Sequence, residues 1–568
     1  MNRTLAAASV PLLLAACASA PDIPAGPRLS GDAQAACAAL AGASIPAERI
    51  VWPGLSSGAA TVDSASLVAA TPLVVAPGGP TPAGRITPAL PQHCRVLGKI
   101  APVDPAAEPI QFQVNLPLQW NGRSVQFGGG GFNGVLINGL ALVPGSPYDT
   151  PGPLAQGYAT VGTDSGHLTK AGQPPQSFAL NDEMLANFAH ASYPKVRNVA
   201  VELMKRAYGR APDKLYFVGS SEGGREGLTM AQRYPAAFDG IFSRVPVIHW
   251  TGLQFAGTRN GLALMGEGWL NPARVKLVHE ATLAACDALD GLADRVIGAT
   301  EACRSRFDPA TLQCPAGRND DACLLPAQVQ AVRTLRSPFK FSLPLANGLS
   351  EYPAWGLGGE DTPAVGPTGG WRAWWTGNAA PTVPPLPANG IAWFYGSGAL
   401  QYFYARNPQA DPRSITPEAH AQRVREVSAL MDSTNPDLSA FHARGGKLIV
   451  LEYLSDYAQS PYAGIQYVQA VQRTLGADRA RQFLRLYTAP GVDHVGTGAP
   501  ALVDMLKPLA AWVEQGVAPG ELRLVEQTVL SAPFPQQRAR PLCEWPGHAR
   551  YKGSGPADAA ASFECVPH

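Results

Sequence analysis

The pattern of apolar and polar positions changes character twice along the chain. Residues 31–42 read as a short helix carrying Cys37. From 60 to 120 come short alternating runs. The clearest is Ile110-Gln111-Phe112-Gln113-Val114-Asn115-Leu116, with the period of two that marks a half-buried strand. Val125-Gln126-Phe127 opens into Gly128-Gly129-Gly130-Gly131-Phe132-Asn133-Gly134, a strand running into a glycine-rich loop. Residues 158–162 form another strand leading into the polar turn Thr163-Asp164-Ser165-Gly166-His167, and 196–208 is helical in pattern. Leu215-Tyr216-Phe217-Val218 is a fully apolar strand. Gly219-Ser220-Ser221-Glu222-Gly223 follows at once, and good helix formers run from Arg225 to Tyr234, stopping at Pro235. Strand and helix alternate throughout this half, which predicts a mostly parallel α/β sheet.

From about Val247 aromatics, prolines and cysteines dominate and the alternation is lost, until Gly445-Gly446-Lys447-Leu448-Ile449-Val450-Leu451 resumes a buried strand. The expected division is therefore an α/β domain over 31–246, a lid inserted over 247–435, and the remainder of the α/β domain over 436–568. In the same pattern 483–487 is a further strand, ahead of the loop Gly491-Val492-Asp493-His494-Val495-Gly496.

Composition narrows the function classes. Lys and Arg number 44 against 43 Asp and Glu, so no basic excess points to nucleic acid or an anionic membrane surface. No run of about 18 apolar residues exists to span a bilayer. The N-terminus does change the picture. Arg3, an apolar stretch over 5–16 and Leu14-Ala15-Ala16-Cys17 read as an export signal over 1–17 that resembles a bacterial lipobox. A Pro/Ala/Gly tether over 18–30 would follow. The expectation is an exported protein, outer-membrane lipoprotein or periplasmic/secreted, touching a membrane only through a lipid on Cys17. Eight cysteines remain: Cys37, Cys94, Cys286, Cys303, Cys314, Cys323, Cys543 and Cys565. An even count in an exported chain reads as four disulfides, and the clustering suggests two local bridges in the middle and one near each end. The pairing itself stays open.

The chemistry centres on Ser221. Gly-x-Ser-x-Gly is a weak signal in a chain with 59 glycines, but a strand before it and a helix after it are what a nucleophile elbow requires. A serine nucleophile needs a base and a carboxylate to orient that base. After the resumed strand, Asp456 lies where the acid of an α/β-hydrolase belongs, and His494 sits in a glycine-flanked loop after the next strand. The order Ser221, Asp456, His494 is the α/β-hydrolase order. Asp493 is the rival acid, disfavoured because a neighbour in sequence rarely bends back onto the adjacent imidazole. The glycine-rich loop lacks the Gly-Lys-Ser/Thr ending of a phosphate cradle and suits an oxyanion hole. Asp287, Asp290 and Asp294, set around Gly291, suit a hard cation with oxygen ligands.

The stretches 208–228, 437–449, 163–167 and 128–134 together resemble the tannase/feruloyl esterase family over almost the whole mature chain. The resemblance implies an α/β-hydrolase fold with a large inserted lid domain and a Ser221–His494–Asp456 triad. It implies an oxyanion hole from the backbone of Glu222 and of Gly130 or Gly131. It also implies a structural calcium ion held by Asp287, Asp290 and Asp294 with the carbonyls of Leu292 and Val296. In one respect the sequence departs from the family. Cysteines usually placed just before the nucleophile and just after the histidine are Ser220 and Val495 here, and packing is expected to replace that disulfide.

The lid aromatics Trp374, Trp393, Phe394 and Tyr402 are the candidates for binding a planar acyl group. The expected activity is hydrolysis of small aromatic esters of the feruloyl or galloyl type through an acyl-enzyme. Within the family the alternative is a terephthalate monoester hydrolase, which needs a cation such as Arg372 or Arg406 for the free carboxylate. An inactive lipid-anchored binding protein and a peptidase are the rivals from other classes.

Overall fold

The structure, a computed structural model, describes Leu29 and residues 31–76, 85–363, 369–527 and 532–567. The export signal, Cys17 and, apart from Leu29, the tether lie outside the described residues.

Ten strands form one twisted sheet: β1 (Ser44–Ile45), β2 (Ala60–Val68), β3 (His93–Ile100), β4 (Ile110–Pro117), β5 (Arg123–Phe127), β6 (Ala159–Thr163), β7 (Lys214–Ser220), β8 (Gly240–Arg244), β9 (Lys447–Tyr453) and β10 (Leu484–Ala489). Their order is β1-β2-β3-β4-β6-β5-β7-β8-β9-β10. The first four pair antiparallel, β4 meets β6 antiparallel, and the six from β6 to β10 run parallel. The sheet is thus mixed. Its parallel part is the part that helices cover on both faces, and there the strands read as continuous apolar runs. Leu448 to Leu451 of β9 have no exposed surface. In the antiparallel part β2 alternates between buried and exposed positions at its start, as one wet face requires.

The helix expected over 31–42 is shorter, Ala33–Ala38, opened by Asp32 accepting from the Ala35 N–H. Helix α1 (Ser192–Tyr208) packs under the sheet and ends at Gly209 in the left-handed region. Helix α2 (Glu222–Arg233) follows β7 directly.

Between β8 and β9 the chain leaves the sheet. Here it is mainly helical, with α3 (Trp250–Ala263), α4 (Pro272–Cys286) and α5 (Ile391–Ala399), and a two-residue ladder of Phe339–Lys340 with Glu351–Tyr352. Helices α3 and α5 pack closely because Gly261 faces Trp393. A Cβ at Gly261 would lie 2.4 Å from that ring. The cysteines pair Cys37–Cys94, Cys286–Cys303, Cys314–Cys323 and Cys543–Cys565, two local bridges in the middle and one towards each end. Among the described residues no helix is long and apolar enough to cross a membrane.

Candidate active site

Ser221 sits between the end of β7 and the first turn of α2 at φ 61°, ψ −121°. A non-glycine residue there is strained, and the surroundings must hold it. The Ser221 N–H donates to the Arg244 carbonyl at 3.0 Å, while its own carbonyl accepts from the Arg225 and Val247 N–H groups. Flanking glycines are needed because α2 starts against β7: a Cβ on Gly219 would lie 2.1 Å from the Gly223 carbonyl oxygen. The turn therefore lifts Ser221 Oγ off the strand end.

Three residues from three loops meet there. Ser221 Oγ lies 2.9 Å from His494 Nε2, and His494 Nδ1 lies 2.6 Å from Asp456 Oδ2. An ionised carboxylate only accepts, so Nδ1 carries the proton and Nε2 is the free base facing the serine. Asp456 is fully buried. Its Oδ1 accepts from the Ala458 and Gln459 N–H groups and its Oδ2 from Gln459 Nε2 at 3.3 Å. The same Gln459 amide donates to Glu452 Oε2 at 2.9 Å. Burial, with the Asp456 charge behind it, pushes the Glu452 carboxyl well above its usual range. Asp493 serves the loop instead: its Oδ1 accepts from the N–H groups of Val495, Gly496 and Thr497.

The glycine-rich loop follows β5 and lies against the start of α2. Gly129 donates to Glu226 Oε2 at 2.9 Å, His167 Nε2 bonds the Phe132 carbonyl at 2.9 Å, and Gly134 donates to the Asp164 carbonyl. Burial pushes His167 down to about 4, which makes it a neutral donor to Phe132. With Gly129 engaged, the N–H groups left at the exposed tip are those of Gly130 and Gly131. Glu222, the first residue of α2, presents its N–H at the helix start, where no preceding turn can accept it.

The lid candidates divide. Trp374 stands edge-on to His494, ring centroids 5.3 Å apart. Trp393 is a correction. It has no exposed surface, its Nε1 donates to the Thr382 carbonyl, and its ring packs on Gly261, so it is lid core. Tyr402 is buried in the cluster around Phe132, Phe178 and Phe403. Phe394 is half-buried beside Tyr395. Tyr395, on the same aromatic stretch but outside the substrate candidates, is a lid ring that meets the glycine loop. It packs edge-on to Phe132 at 5.0 Å, and its hydroxyl would lie 3.3 Å from a Cβ on Gly131.

Nor is the missing disulfide replaced by packing alone. Arg244 Nε donates to Ser220 Oγ at 2.9 Å and its Nη1 to Tyr453 Oη at 3.2 Å, and Tyr453 Oη donates to the Ala501 carbonyl. A polar chain thus joins the nucleophile turn to the segment following His494.

In the acidic loop, Asp287 Oδ2 accepts from the Arg295 N–H, while its buried Oδ1 has no partner. Asp290 accepts from the Leu292 and Gly298 N–H groups. Burial, then the charges of Asp294 and Asp287, push it up to about 6. Asp294 is shared with Arg540 at 2.5 Å. Among the described residues no three side-chain ligands already converge on one point. The orphaned oxygen and the mutual repulsion nevertheless fit a cation at Asp287 and Asp290.

The strand order and the strained serine turn define an α/β-hydrolase. Solved structures agree on the fold: feruloyl esterase B from Aspergillus oryzae superposes with a TM-score of 0.74 at 24% identity, covering 94% of this chain and 100% of its own. The tannin acyl hydrolase of Aspergillus niger gives 0.66 at 20% identity, covering 90% and 92%. The family model for tannase and feruloyl esterase matches residues 94–566. An uncharacterized esterase of Agrobacterium fabrum is 34% identical over 93% of both chains. The mono(2-hydroxyethyl) terephthalate hydrolase of Piscinibacter sakaiensis is 33% identical, covering 85% of this chain and 86% of its own. The chain belongs to the tannase and feruloyl esterase family and is a carboxylic ester hydrolase.

Proposed function

We propose that the protein hydrolyses esters of aromatic carboxylic acids of the feruloyl or galloyl type, with Ser221 as nucleophile. The observation that carries this reading is the continuous hydrogen-bonded line from Ser221 Oγ through His494 to Asp456. In this reading His494 Nε2 takes the serine proton as Oγ attacks the ester carbonyl. The oxyanion rests on the N–H groups of Glu222 and of Gly130 or Gly131. His494 then gives the proton to the departing alkoxide, and water attacks the acyl-enzyme by the same route. Asp456 holds the imidazole tautomer, with Gln459 and two backbone N–H groups fixing the carboxylate.

Trp374 beside His494 and Tyr395 over the glycine loop are suited to flank a planar acyl group. A terephthalate monoester fits less well. Arg372 is engaged by Asn378 Oδ1, and Arg406 by Asp182 and the Leu180 carbonyl, so both candidate cations for a free carboxylate are committed elsewhere.

The Asp287–Val296 loop is proposed to hold Ca2+ through the Asp287 and Asp290 carboxylates and the carbonyls of Leu292 and Val296, with Asp294 joining if it leaves Arg540. The ion would tie this loop and stands outside the chemistry. Export with a lipid on Cys17 is proposed from the sequence, and Cys17→Ala should then release the protein from membranes.

The activity test is chromatography of products from methyl ferulate, methyl gallate, mono(2-hydroxyethyl) terephthalate, p-nitrophenyl acetate and a peptide amide, with Ser221→Ala as control. Ferulate or gallate should be released fastest and the variant should be inactive. Release only from the peptide, release from none, or a fully active Ser221→Ala protein would overturn the reading.

A further inference from the structure

An oxyanion hole built from two segments needs something to fix their separation, because donors work only where the charge develops. One proposed donor belongs to Glu222 at the start of α2 and the other to the glycine loop after β5. The two backbones touch. A Cβ on Gly128 would lie 2.6 Å from Gly223 Cα, and one on Gly223 would lie 2.6 Å from the Gly129 carbonyl oxygen. Contact alone lets the loop slide. One side chain crosses the gap: Glu226, one turn into α2 and 1% exposed. Its Oε2 accepts from the Gly129 N–H at 2.9 Å and its Oε1 from Asn133 Nδ2. Asn133 Nδ2 also reaches Tyr193 Oη, at 3.1 Å. The loop is therefore gripped at both ends of its tip, 129 and 133, by one carboxylate. We propose that Glu226 is a positioning residue that holds the glycine loop in register with the N-terminus of α2 and so keeps the oxyanion donors at a fixed spacing. The inference rests on the serine-esterase reading above.

The grip depends on charge. A carboxylate offers two acceptors to two donors, whereas a protonated carboxyl would point an O–H at one of them. The ionisable groups facing Glu226 are Glu222 and Arg225 from its own helix and Tyr193 from α1, and Asn133 faces it uncharged. Burial, followed by the Glu222 charge, pushes Glu226 up to about 7, against the pull of Arg225, Tyr193 and the Gly129 N–H. Acidification through neutrality should thus loosen the loop.

The test is Glu226→Gln, assayed on a p-nitrophenyl ester and by binding of an arylboronic acid, whose serine adduct is a tetrahedral anion. The expected result is a kcat at least tenfold lower with KM within threefold, boronate affinity falling by a similar factor, and affinity for the product acid unchanged. The acid limb of kcat/KM should lose one proton of steepness. Asn133→Ala, which removes one of the two bonds, should show the same pattern more weakly, and it carries the test if Glu226→Gln fails to fold. Wild-type kcat and boronate affinity in a folded Glu226→Gln or Asn133→Ala protein would overturn the inference, and so would equal losses of boronate and product-acid affinity. Ser221→Ala separates the two levels. If it stays active the esterase reading fails, whereas an inactive Ser221→Ala beside a wild-type-like Glu226→Gln removes only the role of Glu226.

Discussion

Replacing Arg244 by Met tests the noncovalent tie between the nucleophile turn and the histidine segment. The substitution keeps an unbranched apolar stem and removes the guanidinium with its charge. The backbone bond from the Ser221 N–H to the residue 244 carbonyl survives, so the side chain is isolated. Lost are the bonds to Ser220 Oγ and Tyr453 Oη and the guanidinium over the Tyr453 ring, 5.3 Å from its centroid. Hydrogen bonds from a charged donor contribute ~1.5–3 kcal/mol each when well buried. Arg244 is only half-buried, so both bonds together are discounted to about 2 kcal/mol. For a chain this long the unfolding entropy is large, and that loss lowers Tm by only ~2 °C, so urea denaturation is the better measurement. Ser220→Ala removes the acceptor alone, and the double variant closes a cycle with a coupling of about 1 kcal/mol. A coupling within ~0.3 kcal/mol of zero, the additivity error of such cycles, would refute the claim that this bridge links the two segments.

Three further outcomes are expected. Asp456→Asn, which leaves the shape but loses the acceptor for His494 Nδ1–H, should lower kcat by about 10^3- to 10^4-fold with little change in unfolding, measured by steady-state kinetics and melting. His167 has its folded pKa depressed to about 4, so its contribution to stability is complete above its unfolded value and is lost as pH falls from about 6.5 towards 4. The stability difference between wild type and His167→Gln should therefore shrink by up to about 3 kcal/mol over that window, and a pH-independent difference would show that His167 is not held neutral. Chelation should lower Tm by roughly 2–3 °C if calcium stands 100-fold above its dissociation constant, and Asp287→Asn should abolish the response. An identical melt with and without chelator, and no calcium by elemental analysis, would remove the proposed ion.

Local pattern was enough wherever one strand, turn and helix followed each other. The apolar run 215–218, the crowded glycines at 219 and 223 and the stop at Pro235 reported β7, the elbow and α2 without help from elsewhere. Asp456 and His494 were legible because each follows a strand that periodicity alone marks. What local pattern could not show is which side chains a distant element covers. Trp393 and Tyr395 stand two residues apart on one aromatic helix, and only the close approach of α3 at Gly261 sends the first into the lid core. Glu226 reads as a helix charge until the glycine loop, 97 residues upstream, is laid against it. Arg244 likewise looks like a strand-end cation, because its partners Ser220 and Tyr453 come from the strands on either side of β8.

The same long-range logic explains how an insertion of some two hundred residues stays in register with the site. Arg225, fully buried, pairs with Glu222 and donates to the Ala189 and Met431 carbonyls through Nη1 and to the Phe188 carbonyl through Nη2. Met431 closes the last lid helix. The next residues are held too: Asp432 accepts from the Thr251 N–H at 2.7 Å, the Ser433 N–H donates to the Ile248 carbonyl, and Gln232 donates to the Ser433 carbonyl. The entry and exit of the lid are therefore laced to each other and to the helix that starts at the nucleophile. Removing one partner of a buried pair leaves an uncompensated charge and costs about 3–5 kcal/mol, far more than the pair itself stabilises. A lid tied in this way cannot swing as a rigid cap about 248 and 433 without breaking the Arg225 network. The inner lid segments that bring Trp374 to His494 and Tyr395 to Phe132 are tied down as well, by Trp375 Nε1 donating to the carbonyl of Tyr457, next to Asp456, and by Gln176 Nε2 donating to the Tyr395 carbonyl.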